Sequence, residues 1–258
     1  MTPIPLAVDE LHLWFCDRDV GLEPHPPPDP ALPPYAATAT PPLSSGRSVT
    51  ERMRESAREG LRVVLARYLG IRADEVRMVR APCPRCGELH GRPELDPAVH
   101  GDGDERLRFS MAHCAGLAVY AVARQPVGVD AEALAARVDE ADLRSTLHPD
   151  ELRQDAPGRH ALLGCWARKE AYLKGLGIGL GRDPDTVAVG IPPQAPVEPT
   201  PSAGPDGWTL VDIPAGPHHV AAAAVAHRLT TVRVFSEPNA VVGRGRGDWV
   251  MATPRTGA

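Results

Sequence analysis

Two kinds of hydrophobic spacing divide the chain into predicted strands and helices. Alternating or continuous apolar runs indicate strands, whereas apolar residues three or four positions apart indicate helices. The first long helix is expected to end before Gly70, because glycine is unfavourable inside a helix and common just after one. The predicted strands are 9–16, 76–79, 117–123, 127–132, 208–213, 218–226 and 229–235, and the predicted helices are 47–69, 133–146, 149–155 and 159–175.

Proline marks segments that this pattern leaves without regular structure. Residues 24–42 contain nine prolines, and residues 191–205 are also rich in proline. Because proline has no backbone N–H to donate, we expect an extended loop at 24–42. Residues 236–258 have the composition of a flexible tail.

Composition and charge argue against several classes of protein. The chain has 258 residues, 43% of them hydrophobic, and a formal net charge of −5, which argues against general nucleic-acid binding. No apolar run is long enough to cross a membrane. The first residues lack the basic and apolar regions of a secretion signal, and five cysteines form no dense framework. We therefore expect a cytoplasmic protein with reduced thiols. A monomer is a separate expectation.

The first half of the chain has a local excess of positive charge. Residues 47–92 contain eleven arginines and six acidic residues. Arg54 and Arg58 are four positions apart, on the polar side of the predicted helix. Such a surface suits a phosphate-rich small ligand, an acidic protein partner, or simply contact with water.

The segment 166–174 departs from the preference of this chain for arginine. Lys169 and Lys174 are the only lysines among 28 basic side chains, and they flank Glu170. Lysine carries a compact, titratable charge that the planar guanidinium of arginine does not replace at every site. Trp166, Glu170 and Lys174 share one face of the predicted helix. Glu–Lys pairs at this spacing also stabilise ordinary surface helices, so spacing alone leaves both interpretations open.

A pair of carboxylates lies on one of the predicted strands. Gln125-Pro126 predicts a turn that joins strands 117–123 and 127–132 as a hairpin, with Asp130 and Glu132 at its far end. The two side chains point to the same side of the strand, so they repel unless water or a cation screens them. Apolar and small residues precede Asp130, which favours burial. Together with Glu170 they form an all-oxygen ligand set, which suits Mg²⁺.

A second possible metal site lies at Cys83-Pro-Arg-Cys86, with His90 close behind. Zinc is one interpretation, and a nucleic-acid-binding zinc knuckle would be the corresponding function. A structural zinc ion takes four ligands, however, and no second knuckle is nearby. A turn stabilised by proline and glycine is the other interpretation. His113, taken alone, fits an ordinary half-buried histidine as well as a site residue.

Four motifs follow one another in an order that points to a known family. They are Gly91-Arg92-Pro93, Phe109-Ser-Met-Ala-His113-Cys114, Val127-Gly-Val-Asp130-Ala-Glu132 and Trp166-Ala-Arg-Lys169-Glu170-Ala-Tyr-Leu-Lys174-Gly175. With them the chain resembles the 4′-phosphopantetheinyl transferases of the large, surfactin-synthetase type, in their single-chain, two-lobed form.

The resemblance implies both a fold and a reaction. The fold would be α+β, with two similar lobes related by an approximate two-fold axis, each a long helix packed on a small antiparallel sheet. The lobes would be 1–126 and 127–235, followed by the tail 236–258. The reaction would transfer the phosphopantetheine arm of coenzyme A to a serine of an acyl- or peptidyl-carrier protein and release 3′,5′-ADP.

The resemblance also implies roles for individual side chains. Three carboxylates would hold Mg²⁺, namely Asp130, Glu132 and Glu170. Glu170 would also accept the serine proton, and Lys174 would neutralise charge on the phosphate. Basic side chains would bind coenzyme A, namely Arg58, Arg92, His113 and Lys174.

The chain departs from the family pattern before the first long helix. The family has a basic, aromatic stretch there that helps to hold the 3′-phosphate, whereas this chain has the proline-rich segment 24–42. Arg47, Arg52 or Arg54 could take its place, and the sequence does not decide among them. Two other functions stay open: a coenzyme A- or nucleotide-binding protein without transfer activity, and a metal-dependent phosphohydrolase acting on a pyrophosphate.

Overall fold

The chain folds as an α+β protein, as predicted. The structure is a computed structural model that describes residues 3–17, 49–101, 106–154, 157–193 and 196–236. Within these ranges no helix is both long and apolar enough to span a bilayer. The strands are β1 (Glu10–Asp17), β2 (Met78–Arg80), β3 (Pro93–Leu95), β4 (Arg108–Cys114), β5 (Leu117–Ala123), β6 (Val127–Ala133), β7 (Thr200–Ala203), β8 (Thr209–Ile213), β9 (His219–Val225) and β10 (Thr231–Ser236), and the helices are α1 (Val49–Leu69), α2 (Pro97–His100), α3 (Glu140–Ser145), α4 (Pro149–Leu152) and α5 (Arg159–Leu176).

The described strands form two four-stranded sheets and a two-stranded ribbon. The first sheet has the order β10-β1-β5-β4, the second has the order β6-β9-β8-β7, and β2 pairs with β3. All neighbours are antiparallel except β1 and β10, which are parallel. The first sheet therefore contains strands from both sides of residue 126. The division of the chain into lobes and the internal two-fold axis stay predictions.

The predicted hairpin of 117–123 and 127–132 is wrong. β5 pairs with β1 and β4, whereas β6 pairs with β9 in the other sheet. The N–H of Val129 on β6 donates to the hydroxyl of Ser110 on β4 over 3.1 Å. Strands that follow each other in sequence often pair. Here both strands are buried and have ladder partners from distant parts of the chain, which local spacing does not reveal.

The predicted helix over 133–146 is also wrong for most of its length, since only α3 is helical. Arg159, at the start of α5, donates hydrogen bonds to three backbone carbonyls in the segment 134–138. These carbonyls would otherwise accept hydrogen bonds within a continuous helix. Asp139 accepts a hydrogen bond from the N–H of Ala141 and so begins the helix at residue 140.

Three strands were not predicted, namely β3, β4 and β7. β7 lies within the proline-rich segment 191–205 and contains Pro201. It is an edge strand, where proline is tolerated because one side of the backbone has no ladder partner. The predicted loop 24–42 and nearly all of the predicted tail 236–258 lie outside the described residues.

Helix α5 and strand β6 approach each other so closely that a glycine is needed between them. A Cβ atom added to Gly128 would overlap the carbonyl oxygen of Ala171 and lie 2.5 Å from the amide nitrogen of Gly175. The helix backbone therefore rests directly on the strand backbone. This contact brings Asp130 on β6 beside Lys174 on α5.

Buried ion pairs fix α5 to other parts of the fold. The Nζ atom of Lys169 lies 2.7 Å from a carboxylate oxygen of Glu151 on α4, and both side chains are almost fully buried. Arg168 forms a two-pronged pair with Asp212 on β8, at 2.7 and 2.5 Å. Lys169, one of the two lysines, therefore anchors the helix, whereas Lys174 contacts β6.

Gly128→Ala should strongly destabilise the protein, because the added methyl group meets backbone atoms that cannot rotate away. We expect the free energy of unfolding to fall by about 3 kcal/mol or more, measured by urea denaturation. Gly158→Ala is the control, since a Cβ there meets nothing within 4 Å. A Gly128→Ala protein as stable as the Gly158→Ala control would contradict the close contact.

Candidate active site

An ion pair between β6 and α5 lies at the centre of the site. The Nζ atom of Lys174 lies 2.5 Å from Oδ1 of Asp130 and 3.3 Å from the carbonyl oxygen of Val129. Asp130 is 6% exposed. Burial raises the pKa of Asp130 to about 7, and nearby Glu132 and Glu170 add to this, although the ammonium of Lys174 acts in the opposite direction.

The second carboxylate of β6 is oriented by a tryptophan. The indole N–H of Trp166 donates to Oε1 of Glu132 over 3.1 Å. Trp166 lies on the same predicted helix face as Glu170 and Lys174, but its sequence context predicted no role for it. Its indole N–H, one helical turn before Glu170, was the signal that could have suggested a partner among the predicted carboxylates.

Two carboxylate oxygens in this site are buried without a hydrogen-bond donor among the described residues, namely Oδ2 of Asp130 and Oε1 of Glu170. Burial raises the pKa of Glu170, which Lys174 opposes and Glu132 reinforces. A buried oxygen atom that accepts no hydrogen bond is costly, by roughly 1–3 kcal/mol. A cation that binds oxygen ligands would remove this cost.

The carboxylates of the site fit Mg²⁺ by their chemistry. Asp130, Glu132 and Glu170 offer only oxygen atoms, and Mg²⁺ binds through one or two carboxylates while it keeps several water ligands. In the part of the chain that the structure describes, the only set of three ligand atoms all within 4.8 Å of one another belongs to Cys83, Cys86 and His90. The carboxylates are therefore less tightly gathered than those three.

His113 on β4 lies among cationic side chains. Its pKa is lowered, first by burial and then by the charges of Arg54, Lys174 and Arg58. Arg54 and Arg58 are exposed, on α1. Arg58 and Lys174, which like His113 are predicted coenzyme A ligands, are thus each close enough to affect the charge of His113, and so is Arg54. Arg47 lies outside the described residues, as does the side chain of Arg52.

Arg92 is held at the end of α5. Its Nη1 atom donates to the carbonyl oxygen of Gly175 over 2.7 Å, and its Nε atom donates to Glu94 over 3.0 Å. Glu94 also binds Arg106 and Arg108. Arg92 is therefore next to the backbone that follows Lys174, and its ion-pair partner is Glu94 rather than a carboxylate of the site.

The segment that supplies the carboxylates and the lysine also matches a known family. Residues 126–224 match the model of the 4′-phosphopantetheinyl transferase superfamily. The match covers less than half of the chain, and Arg58, Arg92 and His113 lie outside it. No curated protein matches the chain significantly. The match supports phosphopantetheine transfer in general, with coenzyme A as the substrate that this family uses.

Asp130→Asn should change the dependence of stability on pH relative to that of the wild-type protein. The pKa of Asp130 is about 7 in the folded protein, against an ordinary value of 3.8. Asp130 therefore takes up a proton on folding between these values, and its contribution to the free energy of unfolding should fall as the pH rises from about 4 to about 7. Asparagine removes this contribution. The measurement is urea unfolding of both proteins across this range without added metal.

The exposed carboxylate of Asp185 provides the matched control for this experiment. Asp185→Asn should keep the slope of the wild-type protein. A profile of Asp130→Asn that runs parallel to the wild-type profile would show that Asp130 does not titrate as inferred.

Proposed function

We propose that the protein is a 4′-phosphopantetheinyl transferase of the surfactin-synthetase-activating type. It transfers the phosphopantetheine arm of coenzyme A to a serine of an acyl- or peptidyl-carrier protein and releases 3′,5′-ADP. One observation carries this proposal. Within the segment that matches the superfamily, Lys174 pairs with Asp130 beside two carboxylate oxygens to which no described residue donates a hydrogen bond.

Asp130, Glu132 and Glu170 are the proposed ligands of Mg²⁺. Their donor atoms suit this ion, and one buried oxygen each of Asp130 and Glu170, which has no hydrogen-bond donor in the described part of the chain, supports the assignment. When bound, Mg²⁺ would neutralise negative charge on the pyrophosphate of coenzyme A. The hydrogen bond from Trp166 would hold Glu132 ready for this role.

Glu170 is the proposed general base for the serine hydroxyl. Serine is a weak nucleophile until a neighbouring group takes its proton. A carboxylate whose pKa is raised by burial, as that of Glu170 is, accepts a proton more readily near neutral pH than an exposed one.

Lys174 is proposed to neutralise the phosphate that is transferred. Its side chain is 32% exposed, whereas its partner Asp130 is almost fully buried, so the ammonium group borders solvent and can meet a ligand. Phosphoryl-type transfer depends on positioning and on charge neutralisation more than on covalent chemistry. A lysine beside the carboxylates meets the second need.

The remaining basic residues are proposed to bind the other phosphates of coenzyme A. Arg58 and His113 lie within electrostatic reach of each other, and Arg54 lies near them. We therefore assign Arg54 as the candidate for the 3′-phosphate. Arg92 would act from the end of α5, where Glu94 and the backbone hold it.

The proposal of two lobes rests on how the buried apolar residues are grouped around the two long helices. The apolar face of α1, with Leu61 and Leu65, packs with Trp14 and Tyr120 of the first sheet. Helix α5 packs against the second sheet in a separate cluster, and a third cluster contains residues of both sheets. Each sheet thus has one long helix, and coenzyme A would bind between the lobes.

The experiment that tests the reaction is intact-mass analysis of a purified apo-carrier protein. Incubation with this protein, coenzyme A and Mg²⁺ should add one phosphopantetheine group, and EDTA should prevent the addition because the carboxylates lose their ion. Binding of coenzyme A without any mass gain across several carriers would favour the binding-protein alternative. Cleavage of coenzyme A that does not depend on the carrier would favour a phosphohydrolase.

Glu170→Gln should lower the rate of transfer by at least about 100-fold, because the amide cannot accept the serine proton and is a poorer ligand for a cation. The variant should unfold at a temperature no lower than that of the wild-type protein, since size and shape are kept. Glu140→Gln, an exposed residue of α3, is the matched control and should transfer normally. Near-normal activity of Glu170→Gln would rule out the role assigned to Glu170.

A further inference from the structure

The turn at 83–90 gathers three metal-ligating atoms that the proposed transfer reaction does not use. One ligand atom from each of Cys83, Cys86 and His90 lies within 4.8 Å of the other two. The Sγ atom of Cys86 and the Nε2 atom of His90 are 3.0 Å apart. Both cysteines are free thiols. The amino-acid sequence alone is compatible with a zinc site and with a simple turn.

Backbone hydrogen bonds close this turn and bring the two cysteines together, with no contribution from the cysteine side chains. The N–H of Gly87 donates to the carbonyl of Cys83 over 2.8 Å, and the N–H of Cys83 donates to the carbonyl of Glu88 over 2.7 Å. Gly87 has φ +78°, which is unfavourable for other residues, and a Cβ there would meet nothing within 4 Å. The glycine is therefore required by conformation rather than by crowding.

One side of the turn is open to solvent. The backbone N–H groups of Arg85 and Cys86 form hydrogen bonds with the Cys83 sulfur, which orient it within the turn. The Cys83 side chain is buried, whereas Cys86 and His90 are exposed, so an ion could reach the turn from solvent.

We propose that Cys83, Cys86 and His90 bind a Zn²⁺ ion, with water as the fourth ligand. Zinc is held at about 2.3 Å by sulfur and about 2.0–2.1 Å by nitrogen, so tetrahedral ligand atoms lie roughly 3.3–3.8 Å apart. The spacing of the three atoms fits this geometry after small side-chain rotations. Two thiolates and an imidazole favour zinc over Mg²⁺, so the two sites would select different ions.

Such an ion would stabilise the loop that leads to Arg92. The N–H of Gly91 donates to the carbonyl of Ala81 over 2.9 Å, and the N–H of Ala81 donates to the carbonyl of Arg92 over 3.0 Å. Arg85, inside the turn, donates to the carbonyl of Gly181 over 3.0 Å, beyond the end of α5. A metal ion would thus join the two sides of the loop at 83–90, whereas backbone hydrogen bonds already join its two ends.

The test is a titration of Co²⁺ into the reduced, metal-free full-length chain. Cobalt in a site with cysteine ligands gives an intense thiolate-to-metal absorption in the near ultraviolet, which oxygen ligands do not give. We expect saturation at about one Co²⁺ per chain, loss of the band when Zn²⁺ displaces the cobalt, and weakening of affinity by about 100-fold in Cys86→Ser and His90→Ala. Transfer activity is not measured, so the result is independent of the proposed reaction.

His218→Ala is the matched control, because it removes an exposed histidine from the turn before β9. It should bind Co²⁺ as the wild-type protein does. Absence of the thiolate band at saturating Co²⁺, or an unchanged band in Cys86→Ser, would overturn the proposal. The proposal would also be overturned if the reduced protein formed a disulfide between Cys83 and Cys86 in a buffer as reducing as the inside of a cell.

Discussion

The direct contact between the backbones of α5 and β6 determines the site. Because Gly128 has no side chain, the helix lies on the strand with no adjustable group between them. The separation of Asp130 and Lys174 is therefore set by two rigid elements, and rigid support of this kind favours precise positioning of reactive groups. The other buried pairs of α5, made by Arg168 and Lys169, hold the helix against rotation about its axis.

This arrangement leaves an imbalance of charge. Three carboxylates (Asp130, Glu132 and Glu170) share their surroundings with one ammonium group, that of Lys174. Burial and mutual repulsion raise the pKa values of Asp130 and Glu170, so an added positive charge would stabilise the site. Bound protons can supply this charge in the free protein. A divalent cation would supply it while the carboxylates stay ionised, so metal binding would depend on the protonation state of the site.

The residues of the candidate site could be predicted from the sequence, and their roles stay predictions; several of their contacts could not be predicted. The carboxylates of β6, Glu170 and Lys174 follow from motif spacing, and α1 and α5 follow from apolar periodicity. The pairing of β5 and β6 in different sheets depends on partners far along the chain, so local pattern predicted a false hairpin. The role of Gly128 likewise depends on the helix that crosses it, which no local signal describes.

The pairing of β10 with β1 affects the order in which the chain can assemble. Thr230 and Asp9, which flank this parallel pair, are joined by a hydrogen bond although they are 221 positions apart. On the ribosome, the first sheet cannot be completed until residue 236 has emerged, whereas the second sheet needs only residues up to 225. The second sheet can thus be complete before the first, so β1 would lack its neighbour β10 until late in synthesis.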